Sequence, residues 1–328
     1  MRTPARLTLA GLGLAAAAGV YSFAQAGQSA QLAQANTALQ AGEADKALTV
    51  LNGLITAGGG AEAYNLRCRV EFALEQWDRA ANDCEDAVKR DGQNSDDHMW
   101  LARALGEKAS RASFLSAYSL AKRVRIEFEE AARLNPKNGA ALADLGHFYY
   151  QAPGAVGGGM SKADGVAAQL DKFDPVRAIE LRGEMAEQSK DYGTAEREFK
   201  AAIAKSPHPA LQWMPLAGFY RRRERWAEME SAVRSGQTAA ERDKRAAVAF
   251  YDGADVLQSA KRDTPLAAKM LEEYLASSGK TEEAPAFVAH TWLARLMEQL
   301  GDAAGASRER AAALALAHEY KPAKDSKH

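Results

Sequence analysis

The chain holds 328 residues, 47% of them apolar, enough to bury a large core. Its 42 basic and 43 acidic side chains leave a net charge of −1, which excludes the basic surface that general nucleic-acid binding requires. With 10 prolines in a chain rich in Ala, Leu, Glu, Lys and Arg, helix is expected throughout.

Residues 1–26 read as a secretory signal. Arg2 and Arg6 make a charged start, Leu7–Val20 is an uncharged Ala/Leu/Gly run, and Ala24-Gln25-Ala26 offers the small residues that an export peptidase reads. Cleavage is expected before Gly27, which implies a periplasmic or secreted protein. The run is shorter than the ~20 residues of a spanning helix, so no stable membrane insertion is expected after cleavage; an uncleaved anchor is the alternative.

Helical hairpins follow in order. Ala35 and Leu39, a turn at Gly42-Glu43-Ala44-Asp45, then Ala47, Leu51 and Leu54 make the first, and Gly58-Gly59-Gly60 ends it. Tyr64 and Cys68, then Ala80, Cys84 and Ala87, mark the second around a turn at Trp77. The third opens on His98, Leu101 and Leu105 and closes on Phe128, Ala131 and Asn135-Pro136. Its turn is enlarged, with Lys108–Leu120 holding roughly ten residues more than a tight hairpin needs. The fourth has Leu142, Leu145-Gly146 and Tyr149, then an inserted stretch, Ala152–Gly159. The fifth, Val176–Pro209, places Ile179, Gly183 and Ala186 on one helical face and Ala195, Phe199 and Ala202 on another. The sixth carries Trp213, Leu216, Tyr220 and Trp226. A degenerate seventh has Phe250, Gly253 and Leu257, and the eighth runs over about Phe287–Tyr320. Lys321–His328 reads as a disordered polar tail, so residues 27–320 form the folded domain.

The fifth hairpin, a unit of 34 residues with small, large and Pro positions at fixed offsets, resembles the tetratricopeptide repeat (TPR). Five units match well and three loosely, over about Gln31–Tyr320. The resemblance implies an all-α superhelical solenoid of antiparallel hairpins whose first helices line a concave, partner-binding groove.

Cys68 and Cys84 each lie eight residues from Gln76, the middle of the second turn, and so sit at equal height on paired helices. Two cysteines there can approach within the ~4.4–6.8 Å Cα separation of a disulfide, and export would form it. The alternative is a pair of reduced, buried thiols.

No Cys-x-x-Cys, His-Glu-x-x-His or Gly-x-Ser-x-Gly pattern occurs. Gly154–Gly159 does not make a phosphate loop, because Lys162 does not follow the last glycine and a helix precedes it. Groove candidates are Arg69 and Arg103, then His147 and Tyr150, then Glu180, Glu184 and Glu187, which describe a surface basic at its N-terminal end and acidic in the middle. Asn65, Phe72, Met99, Ala143, Arg177, Met214, Arg221 and Arg295 join them on the same spacing. The two insertions fall in consecutive units and should lie side by side, adding Phe114, Tyr118 and Val156 as partner-binding candidates. The expected protein is an exported, non-catalytic scaffold for a protein or peptide, with no cofactor, no metal and no nucleic acid. The alternatives are a structural subunit of a cell-envelope assembly and, last, an enzyme or thiol-redox carrier.

Overall fold

The computed structural model describes residues 12–325. Arg2, Arg6 and the first part of the expected apolar run lie outside them. The helices pair as α1 (Leu12–Ala41) with α2 (Ala44–Thr56), α3 (Ala61–Ala73) with α4 (Trp77–Arg90), α5 (Ser95–Arg111) with α6 (Phe114–Leu134), and α7 (Gly139–Gln151) with α8 (Met160–Leu170). Four more hairpins follow: α9 (Pro175–Gln188) with α10 (Tyr192–Lys205), α11 (Pro209–Arg222) with α12 (Trp226–Ala240), α13 (Val248–Ala260) with α14 (Thr264–Ala276), and α15 (Ala286–Gln299) with α16 (Ala303–Leu316). α17 (Lys321–Lys324) ends the described chain. Among the described residues no helix is long and apolar enough to cross a membrane.

Six of the eight turns share one backbone geometry. Gly42, Glu75, Lys190, Glu224, Lys261 and Gly301 each take a left-handed φ between 54° and 84°. The amide after each donates to the carbonyl five residues back, as Asp191 does to Ala186 at 2.9 Å. That bond satisfies a carbonyl the helix end would otherwise leave free. Asp191 and Asp302 then cap the following helices, their carboxylates accepting from the amides of Thr194 and Gly305. Inside the hairpins, small residues admit large ones. A Cβ on Gly183 would stand 3.1 Å from the Phe199 ring, which is itself fully buried and contributes ~1.5–3 kcal/mol.

The third and fourth turns depart from that geometry, and each differs from expectation. Lys108–Leu120 is no loop, for its extra residues lengthen α5 and α6 to 17 and 21 residues, broken only at Ala112-Ser113. Its Ala, Leu, Lys and Arg content favours helix, and extended Ser113 starts the second helix. The fourth insertion does form a loop, but a tightly bonded one. Gly159 and Gly158 donate to the carbonyls of Tyr149 (2.7 Å) and Pro153 (3.2 Å). Gly157 has φ +98°, and a Cβ on Gly158 would collide with the Ala152 carbonyl.

The tail expected to be disordered from Lys321 is helical through Lys324, because Tyr320 and Ala323 are buried in the core. More consequentially, the superhelix closes on itself. The His318 amide donates to Asp45 at 2.9 Å, Gln76 and Arg79 both reach Glu319, and the Tyr320 hydroxyl donates to Glu75. Arg69 makes a two-pronged bond to Glu282 at 2.6 and 2.7 Å. One apolar core accordingly joins Ala35–Leu74 to residues of α10 through α17, and a second holds the middle hairpins. The open groove implied by the repeat resemblance is therefore walled by the C-terminal hairpins as well, an inner channel whose cavities remain open to solvent.

Candidate binding surface

The first helices of the second to eighth hairpins line the channel. Between Phe72 on α3, Trp100 and Arg103 on α5, Tyr251 on α13 and Trp292 on α15 lies a cavity of about 610 Å³. A second of about 240 Å³ adjoins it, lined by His147, Arg177, Glu180 and Glu184, and the two share Arg103, Asp144 and Glu283. Tyr251 stacks on Trp292 with ring centres 4.6 Å apart. Trp100 is held between two guanidinium groups, Arg69 at 5.5 Å and Arg103 at 4.6 Å.

The basic end expected of this surface is neutralised. Arg69 is bound to Glu282 and Arg103 to Asp144, at 2.6 Å each. His147 Nε2 lies 2.6 Å from Glu184; burial opposes its charge, yet Glu184, Asp144 and Glu180 together hold its pKa above the usual value. Glu187 bonds Arg222 through both oxygens at 2.8 Å. Glu180 forms no such pair, and burial followed by repulsion from Glu184 pushes its carboxyl up to about 7. Asp252 behaves alike, raised to about 7 by burial and by Asp255 and Glu283. Burial and then Glu184 push the Tyr150 hydroxyl up to about 12.

Of the groove candidates, Arg69, Arg103, His147, Glu180 and Glu184 line the channel cavities, and Tyr150 stands edge-on to His147. Asn65, Met99 and Met214 are instead buried. The insertions do lie together, for the Tyr118 hydroxyl donates to the Ala155 carbonyl at 3.3 Å. Phe114 and Leu115 project from the tip, 85% and 80% exposed, with Tyr118 beneath Lys122. Val156 is not available to a partner, being buried beside α6. Cys68 and Cys84 stand 5.4 Å apart at Cα with their sulfurs bonded, both fully buried, so neither offers an accessible thiol.

Tyr251, Trp292 and the Glu282-Glu283 pair were not legible as channel residues. The available signal was the Tyr-Asp-Gly-Ala-Asp run of α13, in which Asp255 shares a helical face with Tyr251.

No protein-family model matches the chain, and no curated protein matches it in sequence. Among solved structures it is similar to a thermophilic TPR protein of Thermus thermophilus, at 17% identity and TM-score 0.50, over 58% of this chain and 98% of that one. A tetratricopeptide repeat protein of Parabacteroides merdae aligns at 13% identity and TM-score 0.43, over 82% of this chain and 98% of the other. A chain of the APC/C hetero-tetramer Cut9-Hcn1 aligns at 13% identity and TM-score 0.41, over 90% of this chain and 54% of its own length. The fold is an all-α TPR-like solenoid.

Proposed function

We propose that the chain is an exported, non-catalytic scaffold that binds a polypeptide along its inner channel, with the Phe114–Tyr118 tip as a second contact. The concave run of aromatic and charged side chains from Trp292 to Glu184 carries this reading, because a solenoid without a ligand gains nothing from gathering such groups along a channel. Export is supported by the Arg2–Ala26 pattern and by the paired cysteines, which suit an oxidising compartment. The surplus of carboxylates on the channel wall disfavours nucleic acid as its ligand.

A photo-crosslinking residue at Tyr150 should capture a polypeptide in the native cell envelope, and the recovered chain should begin at Gly27 with no free thiol. Capture of nothing from Tyr150, or a cytoplasmic chain beginning at Met1, counts against the reading. The exposed Phe114-Leu115 pair favours a second one, a structural subunit that docks through its tip. Phe114→Ala with Leu115→Ser would then abolish assembly, whereas the channel reading predicts that capture at Tyr150 survives.

A further inference from the structure

The channel wall is electrostatically unbalanced. Its cations are held by carboxylates, as Arg69, Arg103 and His147 show, while Glu180 and Glu283 on the wall, and Asp252 and Asp255 beside Tyr251 but outside the cavity linings, form no ion pair among the described residues. Asp252 lies within reach of both Asp255 and Glu283, and Glu283 opens into both cavities. Arg221 offsets Asp255, and Arg177 and His147 offset Glu180. Glu180 and Asp252 are half-buried, which weakens solvent screening at those two, whereas Asp255 and Glu283 are exposed. Next to them stand the stacked Tyr251 and Trp292, whose aromatic faces attract cations as well as apolar groups.

Carboxylates without counter-ions beside aromatic faces complement an organic cation. The space is elongated, since two cavities of about 610 and 240 Å³ meet at Arg103, Asp144 and Glu283. That shape suits an extended chain better than a compact molecule. We infer that the channel takes an extended polypeptide segment bearing lysine or arginine, its charged end at Glu283 and Asp252 and an adjoining apolar side chain on Tyr251 and Trp292. The inference rests on the proposed polypeptide-binding role and adds the charge and side-chain chemistry of the partner. A bound cation would relieve the repulsion that Asp252 feels from Glu283 and Asp255.

A random-peptide display library panned against the purified full chain tests this. Enriched peptides should carry lysine or arginine next to an aromatic or aliphatic residue. One such peptide, resynthesised, should bind a Glu283→Gln, Asp252→Asn double variant at least ~tenfold more weakly, about 1.4 kcal/mol. Trp292→Ala should weaken it independently, with the helical circular dichroism of both variants unchanged. Enrichment without a cationic excess overturns the inference, and so does undiminished binding to the double variant. Displacement by spermidine as efficiently as by the peptide would assign the site to small cations instead. If panning enriches nothing while crosslinking from Tyr150 captures a polypeptide, the charge assignment falls and the general role stands. If neither yields a polypeptide, both fall.

Discussion

At the scale of single residues, the fold tolerates several buried carboxyls, and Glu71 on α3 is raised furthest. It is 8% exposed. Burial, then the charge of Asp83, pushes its carboxyl up to about 8, against weaker opposition from Arg67 and Arg79. Arg67 cannot serve both acids, because its fork is already bound to Asp83 at 2.5 and 2.7 Å. Between the unfolded carboxyl's ordinary value near ~4.3 and about 8, the folded chain keeps a proton that the unfolded chain has lost. Stability contributed by this group therefore falls as pH rises through that window. Denaturant titrations at pH 5 and pH 8 should show wild type losing about 1–3 kcal/mol more than Glu71→Gln across the interval. Parallel pH profiles for the two proteins would show that the folded chain does not hold Glu71 protonated.

At the scale of elements, most of the architecture was legible because it is local. Gly183 and Phe199, or Gly146 beneath Leu181, declare a close helix pair through size alone. The turns were legible in position but not in strain. Gly42 and Gly301 fill the left-handed site without cost, whereas Glu75, Lys190, Glu224 and Lys261 hold a conformation that side chains disfavour by ~1 kcal/mol or more. Lys190→Gly should therefore raise unfolding stability by about 0.5–1 kcal/mol, and Gly301→Ala should lower it by a similar amount. Equal stability for Lys190→Gly and wild type would mean that unfolded-chain entropy cancels the relief. The third insertion departs from expectation because a chain rich in helix formers can lengthen two helices as readily as loop out. What settles the matter is the packing of α5 on α6, which periodicity does not reveal.

At the scale of the whole molecule, closure was beyond reach of the sequence. Superhelical curvature is a sum of small rotations, one per hairpin, and no residue pattern encodes the total. Hence the channel was readable only as a groove, and its C-terminal wall only through Arg221 and Arg295. Closure also revises the modular stability expected of a repeat array, in which each hairpin feels only its neighbours. Weakening the seam with Glu282→Gln and His318→Ala removes the charge partner of Arg69 and the imidazole contact to Asp45, while the His318 amide bond stays, at a cost of about 1–3 kcal/mol. Hydrogen exchange should then accelerate together in α2, α3 and α16 while α9 is unaffected. Acceleration confined to the hairpin that carries each substitution would restore the strictly modular picture.

That seam also has a consequence in time. Its partners are separated by 213 to 273 residues, so a chain emerging from the ribosome makes them last. Until α15 to α17 exist, the side of the first hairpin where Gly42 meets Ala286 and α2 meets α16 has no cover. The first hairpins are synthesised early yet completed late. A chain cut short before Ala286 retains nearly all of its repeats but exposes the face that its missing end would have hidden, which makes it a natural target for chaperones and proteases.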